Sequence, residues 1–79
     1  MTTVAVKNSD GACIVAVHGD VADNVRARLE SVGFSVGPAV SVDVRSNMRQ
    51  MTVMRDGSHV TAEIVRSLLQ ASRGLNVVD

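Results

Sequence analysis

The sequence predicts an α+β fold in which two helices cover one face of an antiparallel sheet. Three observations predict it. Apolar residues recur at helical spacing in two stretches, around 21–33 and 58–71. Between and before them, valines alternate with polar residues or run together in segments of strand length. Clusters of turn formers separate these segments, and 79 residues leave room for one domain, 1–79.

The elements follow in order. Val4 and Val6 alternate within Thr2–Lys7, and Asn8-Ser9-Asp10-Gly11 is a run of turn formers. Ala12 to His18 is a continuous apolar segment between glycines, as a buried strand requires. Val21, Val25, Leu29 and Val32 then mark one stripe of a helix. Asp20 or Asp23 is the expected cap of its start, because a carboxylate accepts free N–H groups there and suits the dipole. Gly33 fits the left-handed position just past its end.

Gly37-Pro38 is a turn, and Val40, Val42 and Val44 alternate with Ser41, Asp43 and Arg45 in a half-buried strand. Ser46-Asn47 turns the chain into a strand over Gln50–Arg55, which Asp56-Gly57 closes. From Ser58 the period changes. Val60, Ile64, Leu68 and Ala71 form one row and Thr61, Val65 and Leu69 the next, the broad apolar stripe of a packed helix. Ser58 is its expected N-cap and Gly74 its expected terminator. Leu75 to Val78 is a last short strand.

Without residues 1–11, an N-terminal strand and turn, the order over 12–78 is βαββαβ. In so short a chain this is the ferredoxin-like two-layer sandwich, with strands in the spatial order 4-1-3-2 and strand 12–18 inside. If Val40, Val42 and Val44 face the helices, Ser41, Asp43 and Arg45 face away. The outward set on the central strands is then Ile14, Ala16, Thr52 and Met54. An open sheet face with an apolar centre is an interaction surface, and a homodimer is expected.

Composition excludes several functions. Eight basic and eight acidic residues give no net charge, and Phe34 is the one aromatic residue. Nucleic-acid binders need a basic excess and, for single strands, stacking rings, so no nucleic-acid partner is expected. No apolar run approaches membrane-spanning length and no secretory leader is evident, so a cytoplasmic protein with no membrane partner is expected. Cys13 is a single cysteine, and no histidine–cysteine spacing suits a metal, so no metal or cofactor is expected. With sixteen valines and little aromatic bulk, the core is built from small β-branched side chains, and oligomerisation would add burial.

The sequence resembles the ACT domain, and within it the regulatory ACT region of aspartokinases. The resemblance rests on Ile14-Val15-Ala16-Val17-His18-Gly19, Arg28 through Val36, Ser46 through Val53, and Ala62 through Leu69. These segments, within about 12–72, look like the family's first strand ending in glycine, its helix running into a glycine, its third strand and its final helix. Val4–Val6 looks like the strand that aspartokinases place ahead of this unit. The resemblance implies an amino-acid effector bound at a dimer interface by Gly19, Asp20, Val21, Asp23, Asn24 and Val25. Asp23-Asn24-Val25 stand where the family often carries glycine. A second resemblance, through Leu29-x-x-x-Gly33-Phe34-x-x-Gly37 and Leu75-x-Val77, is to the ferrous iron transport protein A family. It implies an SH3-like small barrel, with most of 58–65 as strand.

The remaining candidates have structural readings. His18 closes a strand with its ring bonded to a carbonyl, His59 is a surface residue at a helix start, and Cys13 is a buried core residue. Met48, Met51 and Met54 alternate between strand faces and form no methionine-rich metal box. Arg45, Arg49 and Arg55 form a mixed-charge edge with Asp43 and Asp56. No nucleophile, base and orienter can be assembled, so no catalytic residue and no enzyme is expected. The expected function is a small regulatory module that binds an amino-acid effector. The alternatives are a ligand-free interaction or assembly module acting on a larger protein, and an iron-transport accessory protein.

Overall fold

The structure, a computed structural model, describes residues 2–72 and 74–78, and of His59 the backbone alone. Its elements are β1 (Thr2–Ser9), β2 (Ala12–His18), α1 (Gly19–Ser31), β3 (Ser35–Val36), β4 (Val40–Asp43), β5 (Met48–Arg55), β6 (Ser58–His59), α2 (Ala62–Gln70) and β7 (Leu75–Val78). Together they make a small α+β fold with one mixed sheet and two helices.

Two Asp-Gly pairs set the hairpins. Asp10 and Gly11 have φ of 52° and 81°, and Asp56 and Gly57 have φ of 51° and 76°. Positive φ at both central residues gives the turn whose twist matches two antiparallel strands, and Asp-Gly adopts it at little cost. The first pair joins β1 to β2, with Ser9 opposite Ala12. The second folds β6 directly back on β5, with Arg55 opposite Ser58.

The sheet runs β7, β1, β2, β5, with β3, β4 and β6 each paired to β5. This departs from the expected order. The arrangement 4-1-3-2 sets strand 12–18 against strand 75–78 in a purely antiparallel sheet. In the structure β1 lies between them, antiparallel to β2 and parallel to β7 through pairs from Thr2–Leu75 to Ala5–Val78. The physical reason lies in β1 itself. Val4 and Val6 are fully buried, and an edge strand would leave one side of them bare.

Helix α1 ends as its sequence predicts. Gly33 has φ of 97°, its N–H donates to the Glu30 carbonyl, and the Phe34 N–H donates to the Leu29 carbonyl. This paired closure satisfies the last carbonyls and lays Phe34 against the core beside Leu29. Its start differs from expectation. The cap is neither Asp20 nor Asp23. His18 Nδ1 accepts from the Asp20 N–H at 3.3 Å, so the ring bonds an amide rather than a carbonyl.

Helix α2 is shorter than the periodicity of 58–71 implies. The tight turn at Asp56-Gly57 commits Ser58 and His59 to β6, so Ser58 is no cap and His59 no helix residue. The helix starts after Thr61, and its first amide, Ala62 N–H, donates to Asn8 Oδ1 at 3.1 Å. The cap is supplied from the end of β1, a residue distant in sequence. Gly74 has φ of 81° but stands beyond the helix, which ends at Ala71. The SH3-like alternative also fails here, because α2 occupies positions 62–65 that it needs as strand.

Both helices cover the same face of the sheet. Ala22, Val25 and Leu29 of α1 and Ala62, Val65 and Leu69 of α2 pack on Val4, Val6, Cys13, Val15, Val17, Met51 and Val53. No polar side chain is buried in this core among the described residues. Met51 lies in the core, while the registers put Met48 and Met54 on the face opposite. The valines of β4 contradict expectation. Val40, Val42 and Val44 are 58%, 51% and 86% exposed rather than packed on the helices. Val40 pairs with Gln50, which pairs with Ala16 on the open face, and a register shift after Ser41 ends the alternation.

Candidate functional site

The start of α1 is fixed from two directions. Its cap comes from His18, whose Nδ1 also lies 3.4 Å from Asp20 Oδ2. From the other side the Gly19 N–H donates to the Asn47 carbonyl at 2.7 Å. The helix then presents a row at Val21, Asn24 and Val25, and Arg28, successive turns of one side.

That row forms one wall of a cleft of about 320 Å³. The opposite wall is Thr2 at the start of β1, Ser72 and Gly74 after α2, and Leu75 of β7. Parallel pairing of β1 and β7 builds this wall, and the Thr2 N–H donates to the Gly74 carbonyl at 2.9 Å across its lip. The floor is apolar: Val25 is 2% exposed, and Val21 and Leu75 pack against the core. Among the described residues, Arg28 is the one charged member of the lining. Ser72 Oγ is shut off from solvent and has no hydrogen-bond partner.

Of the six residues expected around an effector, the structure brings Val21, Asn24 and Val25 to this cleft. Gly19, Asp20 and Asp23 do not line it. Gly19 is packed against Asn47, Asp20 faces His18, and Asp23 is exposed. Thr2, Arg28, Ser72, Gly74 and Leu75 are additions. Arg28 was within reach of sequence reasoning, since it continues the Val21–Val25 row by three positions. The others are assembled by the β1–β7 pairing, which leaves no local signal.

The expected interaction residues share one surface. Ile14 is paired with Thr52 and Lys7, Ala16 is paired with Ala5, and Met54 follows two positions after Thr52. All lie on the face away from the helices, which no described element covers. Val40 and, at the far edge, Val78 (39% exposed, paired with Ala5) extend it.

Among the described residues, two titratable groups are displaced from ordinary behaviour. Burial pushes the Cys13 thiol up, opposed by the positive charge of Arg66. The Ser46 hydroxyl and then the Arg45 N–H, at 3.0 Å, hold the Asp43 carboxyl below its usual range. Arg55 is no free rim cation: it lies 4.3 Å over the Phe34 ring and donates to the Val32 carbonyl. Among the described residues, no three histidine, cysteine or acidic side chains gather as a metal site, and no helix is long and apolar enough to cross a membrane.

No family model matches the chain, and neither the curated proteins nor the solved structures include a match to it.

Proposed function

We propose that this chain is a small, non-enzymatic regulatory module of the cytoplasm that binds an effector of amino-acid size, in the manner of an ACT domain. The observation that carries the reading is the cleft, which gathers Val21, Asn24 and Val25 over an apolar floor beside the Arg28 cation. A concave, largely apolar space with a few polar groups is the common form of a small-molecule site. The strand order supports the same reading. With β1, β3 and β6 set aside, the strands stand β7, β2, β5, β4, which is compatible with a ferredoxin-like two-layer sandwich.

The test is thermal melting of the whole chain against the standard amino acids and common divalent metals, at two protein concentrations. A ligand that binds the folded state raises Tm by mass action. A rise with an amino acid is expected. No rise with any compound overturns the effector reading.

A second reading rests on the open sheet face. Ile14, Ala16, Met54, Val40 and Val78 form an apolar surface without a cover, and a chain with no net charge has little to keep two such faces apart. In this reading the chain is a homodimer or an assembly module without a small ligand. A Tm that rises with protein concentration alone, with no response to any ligand, favours it.

A further inference from the structure

Resting on the effector reading above, we propose that the cleft between α1 and β7 selects a short aliphatic carboxylate and discriminates against an ammonium group on the same ligand. The sequence points to an amino acid, which carries both charges; the walls of the cleft provide for one of them.

Among the described residues, the lining holds a single charged side chain, Arg28, and no acidic one. Arg28 has no carboxylate partner among the described residues. Its guanidinium is therefore available, and its planar fork matches both oxygens of a carboxylate. Asn24, one turn before Arg28, adds an amide donor on the same wall.

Ser72 supplies an independent observation. The residue lines the same cleft, while its Oγ is turned away from solvent and makes no hydrogen bond. Buried hydroxyls are nearly always bonded, because leaving one unmade forfeits its hydration with no return. Rotated about χ1 into the cleft, the hydroxyl would gain a partner by donating to a carboxylate oxygen held by Arg28. Each of these three groups can donate a hydrogen bond, and among the described lining residues no carboxylate offsets the positive charge of Arg28. An ammonium brought into that space loses water and meets a like charge. Asp20 and Asp23, on the same helix, stand outside the cleft and do not offset this. Val21, Val25 and Leu75 then take the aliphatic body, and about 320 Å³ suits a ligand of a few carbons.

The experiment uses four probes with one aliphatic body: 3-methylbutanoate, 3-methylbutan-1-amine, 3-methylbutan-1-ol and valine. Each is titrated into the full chain while the backbone amide NMR shifts of residues 21–28, 74 and 75 are followed. The carboxylate should move these amides and bind about tenfold or more tightly than the amine, the alcohol or valine. Arg28→Gln should erase that advantage, and Ser72→Ala should weaken the carboxylate a few-fold, with the rest of the spectrum unchanged. If the amine or the alcohol binds these residues as tightly as the carboxylate, the selection is overturned while effector binding stands. If valine binds more tightly than 3-methylbutanoate, discrimination against the ammonium is overturned, again with effector binding intact. If no probe moves these amides, the proposal is overturned. If the amino-acid panel is silent as well, so is the effector reading.

Discussion

Gly19 and Asn47 are interlocked. The Gly19 N–H donates to the Asn47 carbonyl at 2.7 Å, and the Asn47 side chain fills the place where a Cβ on Gly19 would be, 2.6 Å from its Oδ1. Asn47 itself has φ of 55°, a left-handed conformation that asparagine tolerates better than most residues. Through this pair, the turn between β4 and β5 buttresses the first residue of the helix that carries the cleft.

The pair predicts a specific non-additivity. Gly19→Ala must push the Asn47 side chain aside and should cost about 1 kcal/mol, although alanine is the better helix residue. In an Asn47→Gly background the obstruction is gone, and the same substitution should become stabilising by roughly 0.5 kcal/mol. Urea denaturation of the four proteins in the cycle measures the coupling, and additive effects would contradict the interlock.

Asn8 caps a helix from a distant strand. Asn8→Ala should leave the Ala62 amide without its partner and cost about 1 kcal/mol, the usual worth of a cap. Hydrogen exchange should show the loss first in the opening turn of α2. Thr61→Ala, by contrast, should cost little as a cap, because the Thr61 side chain makes no capping bond.

Leu69 is 0% exposed at the centre of the α2 face. Leu69→Ala should cost about 2–5 kcal/mol, through lost burial and the cavity left behind. For a domain of this size that is a large share of its stability, so chemical denaturation should show a midpoint shift far beyond that of Ile64→Ala, a half-exposed position on the same helix.

Cys13 is 0% exposed, and burial holds its thiol pKa up. Labelling by a thiol reagent should therefore proceed only through unfolding, and its rate should follow global stability across the variants above. The folded state keeps the proton that the unfolded state gives up first. Stability should thus fall as pH rises past the ordinary thiol pKa, and Cys13→Ala should flatten that limb.

Asp43 works in the opposite direction at the other end of the scale. Its carboxylate is favoured in the folded state by Ser46 and by the Arg45 amide. Its contribution is present above the ordinary carboxylate pKa and is lost as pH falls through the lowered folded value. Asp43→Asn should make acid unfolding less steep, as read by circular dichroism between neutral and acid pH.

What sequence reasoning reached was what neighbours in the chain decide. The stripe from Val21 to Val32 and the glycine after it define α1, and Gly33 does close it. The alternation of Val4 and Val6 marks a strand, but period two says nothing about which strand lies beside it. The place of β1 between β2 and β7 is therefore visible only in the assembled sheet. Val60 shows the opposite failure. It fits the helical row with Ile64 and packs against the core, yet Asp56-Gly57 has already sent Ser58 and His59 into a hairpin. Two neighbouring signals competed, and the tight turn won. In the cleft, Val21, Asn24 and Val25 are expected through the resemblance to the ACT domain, whereas Thr2, Ser72 and Leu75 arrive from the two ends of the described residues.

That last meeting has a kinetic side. β1 lies inside the sheet and is the first of the described strands to be made, yet its parallel partner β7 is made last of them. Until then β1 carries a ladder of unpaired amides and carbonyls beside buried valines, an edge open to any extended segment that passes. Closing so distant a pair is slow, because the whole intervening chain must be organised first. A nascent or truncated chain lacking residues 75–78 is consequently the form most prone to exchange strands with its neighbours, and the cleft comes into being only when that vulnerability ends.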